Sequence, residues 1–394
     1  MTTVKHFHSA MNGAPVLSGT AESLINVLDA CLVNGFGLQT ASSVVVNNYI
    51  ATATFPSSHP FEPDTIALFS GAVLPQLNGE KRILTTTTNT VTFTVTGIAN
   101  GSSAGTITAR LAPAGWEKPF SGTNLAAYRS LDVESTRMYL RVDDTGTVNA
   151  RVVGYETMTD VNTGTGPFPT TTQISGGGWW PKAHIANATA RAWTLVADGK
   201  GFILHVHTAA SPPGISGVVW EFGDFASLKS GDAYACRLQC HNADTSSASS
   251  NVPSQSDYCS NSPQAGAYLP RSFTTLGGAV AGAHAAQGLF QTSGASGATL
   301  NSPTPIYPNG PDNGLILVRK IIIEPSVCLR GYGRGLYVAP QNLHTQFNWR
   351  DKIDGQGELA GRKLLAMKCG SPAGTTSQGA EFMDITRHQS WSQT

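Results

Sequence analysis

Charge is what this 394-residue chain has least of: Asp, Glu, Lys and Arg make up 13% of it, and 25 basic residues cancel 25 acidic ones. That share is about half of what soluble domains carry. A neutral surface sets up no field to gather phosphates or anionic headgroups, so nucleic acid and anionic membrane are not expected partners. Long apolar runs are also missing. No stretch approaches the roughly 20 residues that span a bilayer, and the opening MTTVKHFHSAMNGAPVLSG lacks the continuous apolar core of a signal peptide. A soluble protein made in a cytoplasm is expected. Cys31, Cys236, Cys240, Cys259, Cys328 and Cys369 are too few and too scattered for a disulfide framework, which leaves free thiols as the expected state.

Catalytic signatures are equally scarce. The chain has no G-x-S-x-G elbow and no H-E-x-x-H, and Gly331, Gly333 and Gly335 in GYGRG lack the context of a phosphate-cradling loop and read as a bend. Glu134, Asp143, Asp144, Glu156 and Asp160 act as glycosidase carboxylates only where a fold brings two of them within reach, and surface positions are expected. Asp160, Asn162 and Gly164 in DVNTGTG lack the twelve-residue calcium-loop pattern with its closing Glu, leaving a polar turn. His205 and His207, two apart on a strand, project to one side as metal ligands do, but no third ligand is near. A pair of exposed histidines is expected there, and His6 and His8 around Phe7 read the same way. Cys236, Cys240 and His241, with Cys259 beyond, match no common zinc spacing. No metal, cofactor or catalytic residue is therefore expected, and no enzymatic activity.

What is abundant is β-branched and turn-forming. Residues 44–109 are rich in Thr and Val, broken at short intervals by His59-Pro60, Pro63-Asp64, Asn78-Gly79 and Asn100-Gly101. Residues 90–96 alternate valine and threonine around Phe93, and in 49–55 Tyr49, Ala51, Ala53 and Phe55 form an apolar face. Strict alternation of this kind belongs to half-buried strands. Five or six strands in this length predict a small barrel or sandwich. Ahead of it, Leu24, Val27, Leu28, Cys31 and Leu32 recur at helical spacing, with Thr20 placed to cap, Glu22 in the first turn and Asn34-Gly35 as the stop. Cys31 on that stripe is expected to be buried and inert.

Beyond Pro113, MYLRVDD with NARVVGYETM, and RAWTLVA with GFILHVHTA, read as two hairpins. In the second, Phe202, Leu204 and Val206 share one face and Ile203, His205 and His207 the other. Between them TGTGPFPTTTQISGGGWWPKA reads as a surface insertion ending in adjacent tryptophans. Phe168, Trp179 and Trp180 are its candidate contact residues, for a protein interface or for a glycan ring. A stretch rich in Ser, Gly, Ala and Pro follows, and then GLILVRKIII, an apolar run suited to a sheet interior, with GLYVAP, RKLLAMKC and EFMDIT after it.

The pattern IATAT, LNGEK, TFTVTGIANG and AGTIT resembles a small β-module recurrent in structural proteins of tailed bacteriophages. The segments that follow, LAPAGWEKPFSGTNLAAYRS, MYLRVDDTG, ARVVGYETM and SGGGWWPKA, are similar to a family of proteins encoded in phage and prophage virion-assembly regions. The resemblance implies a virion structural protein, most naturally tail-associated at a tip, baseplate or fibre attachment. Its partners would be copies of itself and other virion proteins. Capsid decoration and a receptor- or glycan-binding tail module are the alternatives.

The expected architecture is mostly β. It has an N-terminal arm and helix (1–40), a small β-barrel or sandwich module (41–111), a larger β-sandwich-like domain (112–240 with 314–394) and a loop excursion (241–313).

Overall fold

The computed structural model describes residues 3–208, 217–242, 265–286, 307–324, 327–339, 341, 343, 346–370 and 378–386. The alternating Thr/Val segments form strands for the expected reason: one face of each is apolar and has something to cover it. Ser43–Asn47 pairs antiparallel with Ile50–Thr54, which pairs with Thr90–Thr94, so that Val44, Val46, Ala51, Ala53, Val91 and Phe93 all point inward and are buried. A second sheet runs Phe36–Thr40, Thr108–Leu111, Ile66–Ser70, Gly79–Arg82. The two layers close over an aromatic contact, Phe69 on Phe93 at 4.6 Å between ring centres, in the manner of a sandwich. The module has eight strands rather than five or six, two of them only two residues long, and Phe36–Thr40 from the N-terminal segment joins its second sheet as a ninth. Tyr49 is not on the apolar face. Asn48 and Tyr49 both take positive φ, 47° and 63°, and make the tight turn between the first two strands, leaving Tyr49 exposed.

The helix is shorter than its stripe. It is α-helical over Ser23–Leu28 and continues as a π-helical turn over Asp29–Asn34, ending at Gly35. Thr20 does not cap it and Glu22 lies just outside it with φ 67°. The first amides are capped by Asp144, from 120 residues away in sequence, whose Oδ2 accepts from Leu24 N at 2.8 Å and Ile25 N at 3.3 Å. Cys31 is buried as expected, and burial pushes its thiol well above the usual range.

Both expected hairpins are present. Trp116–Gly122, Leu125–Ser130, Tyr139–Asp143 and Asn149–Tyr155 form a meander, and Trp193–Ala197, Gly201–Val206 and Val218–Asp224 form a second run. The N-terminal strand Lys5–His8 pairs with Trp193–Ala197 at its edge. This curled half-barrel sheet, the helix and the small module share one continuous core that reaches from Phe93 through Leu28 and Tyr128 to Trp220.

Strands from the C-terminal third cover the other side. Cys328–Ala339, Lys363–Gly370 and Gln378–Asp384 bring Leu336, Val338, Leu365, Met367 and Met383 against Val196, Ile203 and Val219. Gly201–Val206 is therefore buried on both faces, all six residues of it. The expectation for 241–313 needs correction: Ala265–Leu269 and Val280–Ala286 pair with each other and extend the sheet from Cys236–His241, while 243–264 and 287–306 lie outside the described residues. GLILVRKIII is a strand only from Val318, with one face buried rather than two. GYGRG is no bend but the middle of Cys328–Ala339. Its Gly331 lets the backbone of Ala226 come so close that any side chain there would strike the Ala226 carbonyl. At 47% strand and 6% helix, the chain is an all-β protein of sandwich-like layers.

Candidate functional site

The GGGWW segment is a strand and not a surface loop. Gly178–Pro181 pairs with Asn149–Tyr155 on one side and touches His241 on the other, which sends its two tryptophans to opposite faces. Trp180 is fully buried, stacked on Trp220 at 6.3 Å, and its indole N–H donates to the Gln239 carbonyl at 2.6 Å. Phe168 is fully buried too. Its backbone exchanges both hydrogen bonds with Gly154, and its ring fills the space that a side chain at Gly154 would take. Only Trp179 of the three reaches the surface, half-buried beneath the Arg151 guanidinium at 3.6 Å. Two of these residues are thus core, and the three do not form a shared contact surface.

The four histidines are buried rather than exposed. His205 and His207 sit edge to face at 4.7 Å, and Trp349 lies against His207. His205 Nε2 meets the Lys368 carbonyl at 2.8 Å, and burial drives its imidazole down to about 4. His8 Nδ1 accepts from Ala10 N at 3.3 Å, and its Nε2 lies 2.9 Å from Glu62 Oε1 and 2.6 Å from Arg350 Nη1. Burial lowers the His8 imidazole as well. Beside it His6 has no hydrogen-bond partner on either ring nitrogen among the described residues. Burial first, then the positive charge of Lys352, takes it down to about 3. Among the described residues no three His, Cys, Asp or Glu side chains converge as metal ligands would. Cys236 and Cys240 are buried free thiols, both pushed upward by burial; Cys259 and the Cys369 side chain lie outside the described residues.

The carboxylates are scattered and individually engaged. Asp144 is buried against Lys182, Glu156 makes a two-point pair with Arg271 at 2.7 and 2.8 Å, and Glu134 meets Lys200 at 3.0 Å. Asp160 turns the short hairpin after Tyr155, accepting from Asn162 N. A buried ionic layer that no local pattern announces lies between the half-barrel sheet and the C-terminal strands that cover it. Glu221 there pairs with Arg237 and receives Lys320 Nζ at 2.8 Å, and Arg334 clasps Asp198 at 2.6 Å. Its signal in the sequence is only a charged residue on an otherwise apolar strand, Glu221 within VVWEF.

Two surface features remain. One is an apolar tip. The Leu228 amide donates to the Arg330 carbonyl, Lys229 Nζ reaches the Phe273 carbonyl, and the Phe273 amide donates to Glu324, next to Val327 and Leu329. Leu228, Phe273, Leu276, Val327 and Leu329 are all exposed there, by 40 to 73%. The other is a groove of about 580 Å³ on the outer face of the C-terminal strands. Tyr307, Leu315, Leu317, Tyr337 and Phe347 make its floor, and Asn313, Gln356, Glu358 and the guanidinium groups of Arg319 and Arg362 its rim.

Among the described residues no helix is long and apolar enough to cross a membrane. No family model matches the chain, and no curated protein matches it.

Proposed function

We propose that the protein is a structural component of a tailed-phage virion, tail-associated, acting by assembly with copies of itself and neighbouring virion proteins. The observation that carries the assembly part is the apolar tip, five exposed side chains contributed by three separate segments of the C-terminal half. A contiguous exposed apolar patch ringed by polar groups is characteristic of a protein contact surface. Low net charge agrees with this, because affinity must then come from apolar and backbone contacts rather than from ionic attraction. The virion part rests on the resemblance of residues 44–109 and of the meander to phage structural proteins. Burial of Trp180 and Phe168 removes the support for a glycan platform at GGGWW.

Mass spectrometry of purified particles, with copy-number estimation, tests the reading: the protein is expected in fixed multiple copies, and its absence overturns the proposal. Replacing Phe273 and Leu228 together by Ser is expected to leave the isolated chain folded and to lower its incorporation into particles.

A further inference from the structure

The groove is built, not accidental. The Phe347 ring is held edge-on by Phe382 at 5.4 Å and flanked by Tyr307 at 5.9 Å, giving a fixed aromatic corner. The loop carrying Asn313 is tied by hydrogen bonds from Asn309 N to the Gly314 carbonyl and from Gly314 N to Asp312. On the opposite rim Gly355 N donates to the Arg362 carbonyl and Leu359 N to that of Gln356, fixing the turn that presents Gln356 and Glu358. Arg362 is held by Asp384 at 2.6 Å, and the Arg319 guanidinium lies over the Tyr332 ring at 4.0 Å. A preformed cleft of this size, apolar at its floor with a few placed polar groups, is the ordinary form of a small-molecule site.

The chemistry of the wall narrows the occupant. Its charged lining is balanced, Arg319 and Arg362 against Asp354 and Glu358, and Arg362 and Asp354 are already paired with Asp384 and Lys363 at 2.6 Å, so the wall as a whole does not select an ion. The strand beside it, Lys352–Asp354, is three residues long, too short an edge to hold an extended peptide. What remains is a half-wet apolar floor with rings, edged by planar amide, carboxylate and guanidinium groups that bind two adjacent oxygens at once. A pyranose ring has that complement: apolar C–H faces to lie on an aromatic ring, and vicinal hydroxyls around its edge.

We propose that this groove binds a neutral oligosaccharide, with a sugar ring seated on Tyr307 and Phe347 and its hydroxyls bonded to Gln356, Glu358 and Asn313. The site is separate from the apolar tip and does not depend on the virion reading. The full chain is titrated with maltotriose, cellotriose and chitotriose as probes, followed by calorimetry and saturation-transfer NMR. At least one trimer is expected to bind saturably, with affinity reduced about tenfold by Tyr307→Ala and also reduced by Gln356→Ala, both variants giving the wild-type circular dichroism spectrum. Trp179→Ala, remote from the groove, is expected to leave binding unchanged. Failure of all three trimers to bind the folded chain at up to about 10 mM, or binding indifferent to both groove substitutions, overturns the assignment while leaving the assembly proposal untouched.

Discussion

Asp144 ties three parts of the chain together through one carboxylate. It accepts from the first amides of the N-terminal helix and from Lys182, whose ammonium also reaches the Thr20 carbonyl at 2.6 Å. Burial raises the Asp144 carboxyl and lowers the Lys182 ammonium, and each partner opposes the other's shift, so the pair holds together only while both are present. Asp144→Ala is expected to cost about 3–5 kcal/mol, because it leaves a buried ammonium without its counter-charge and two helix amides without an acceptor. Urea unfolding checks this by a lower midpoint at similar slope. Adding Lys182→Met to that variant is expected to restore part of the loss. Nothing local in DDTG distinguishes Asp144 from Asp143, which stays at the surface. The distinction comes from a helix more than a hundred residues away, and a local pattern does not carry information of that range.

Elements were legible wherever one face of a segment is apolar and the other polar. The module's strands, both hairpins and the helical stripe follow from alternation or 3.6-residue spacing alone. Strands that alternation does not announce are glycine-rich and closely approached by neighbouring groups. Gly178–Pro181 follows two glycines and opens on a third, and reads as a loop, yet it is paired along one edge, and Trp180 plugs the core between Trp220 and Phe202. Its two aromatic residues therefore have unequal worth. Trp180→Ala is expected to destabilise by about 3–5 kcal/mol through the cavity it opens. Trp179→Ala loses a partly exposed stack on Arg151 and is expected to cost about 1 kcal/mol or less. Equal losses in thermal or urea unfolding would rule out the assignment of opposite faces.

For the molecule as a whole, buried histidines set a pH limit. His6 and His205 fall from an ordinary 6.5 to about 3 and about 4 because burial disfavours their charged forms. The folded state thus binds fewer protons than the unfolded chain between those values and 6.5. Stability from these groups is complete above pH 6.5 and is lost as pH falls toward 4. For His205 alone the loss by pH 4 is on the order of 3 kcal/mol. The melting temperature is expected to be level from pH 8 to about 6.5 and to drop below that, with a shallower fall in His205→Gln; a flat profile to pH 4 would refute this. His6 faces Lys352, His8, Glu62 and Asp64, so protonating it adds charge to a site that already holds a half-buried lysine. The groove and the apolar tip escaped sequence reading for a related reason: both are assembled from segments that meet only through the C-terminal strands.

The pairing of Lys5–His8 with Trp193–Ala197 has a temporal side. Residues 5–8 are made before their strand partner, and roughly two hundred residues must follow before they can pair, which at 5–20 residues per second is a delay of about 10 to 40 s. For that interval the backbone of the first strand is an unpaired edge, and the helix behind it lacks the carboxylate that caps it until Asp144 emerges. Closure of this sheet edge is thus a late event of synthesis, set by the sequence separation of the two paired strands.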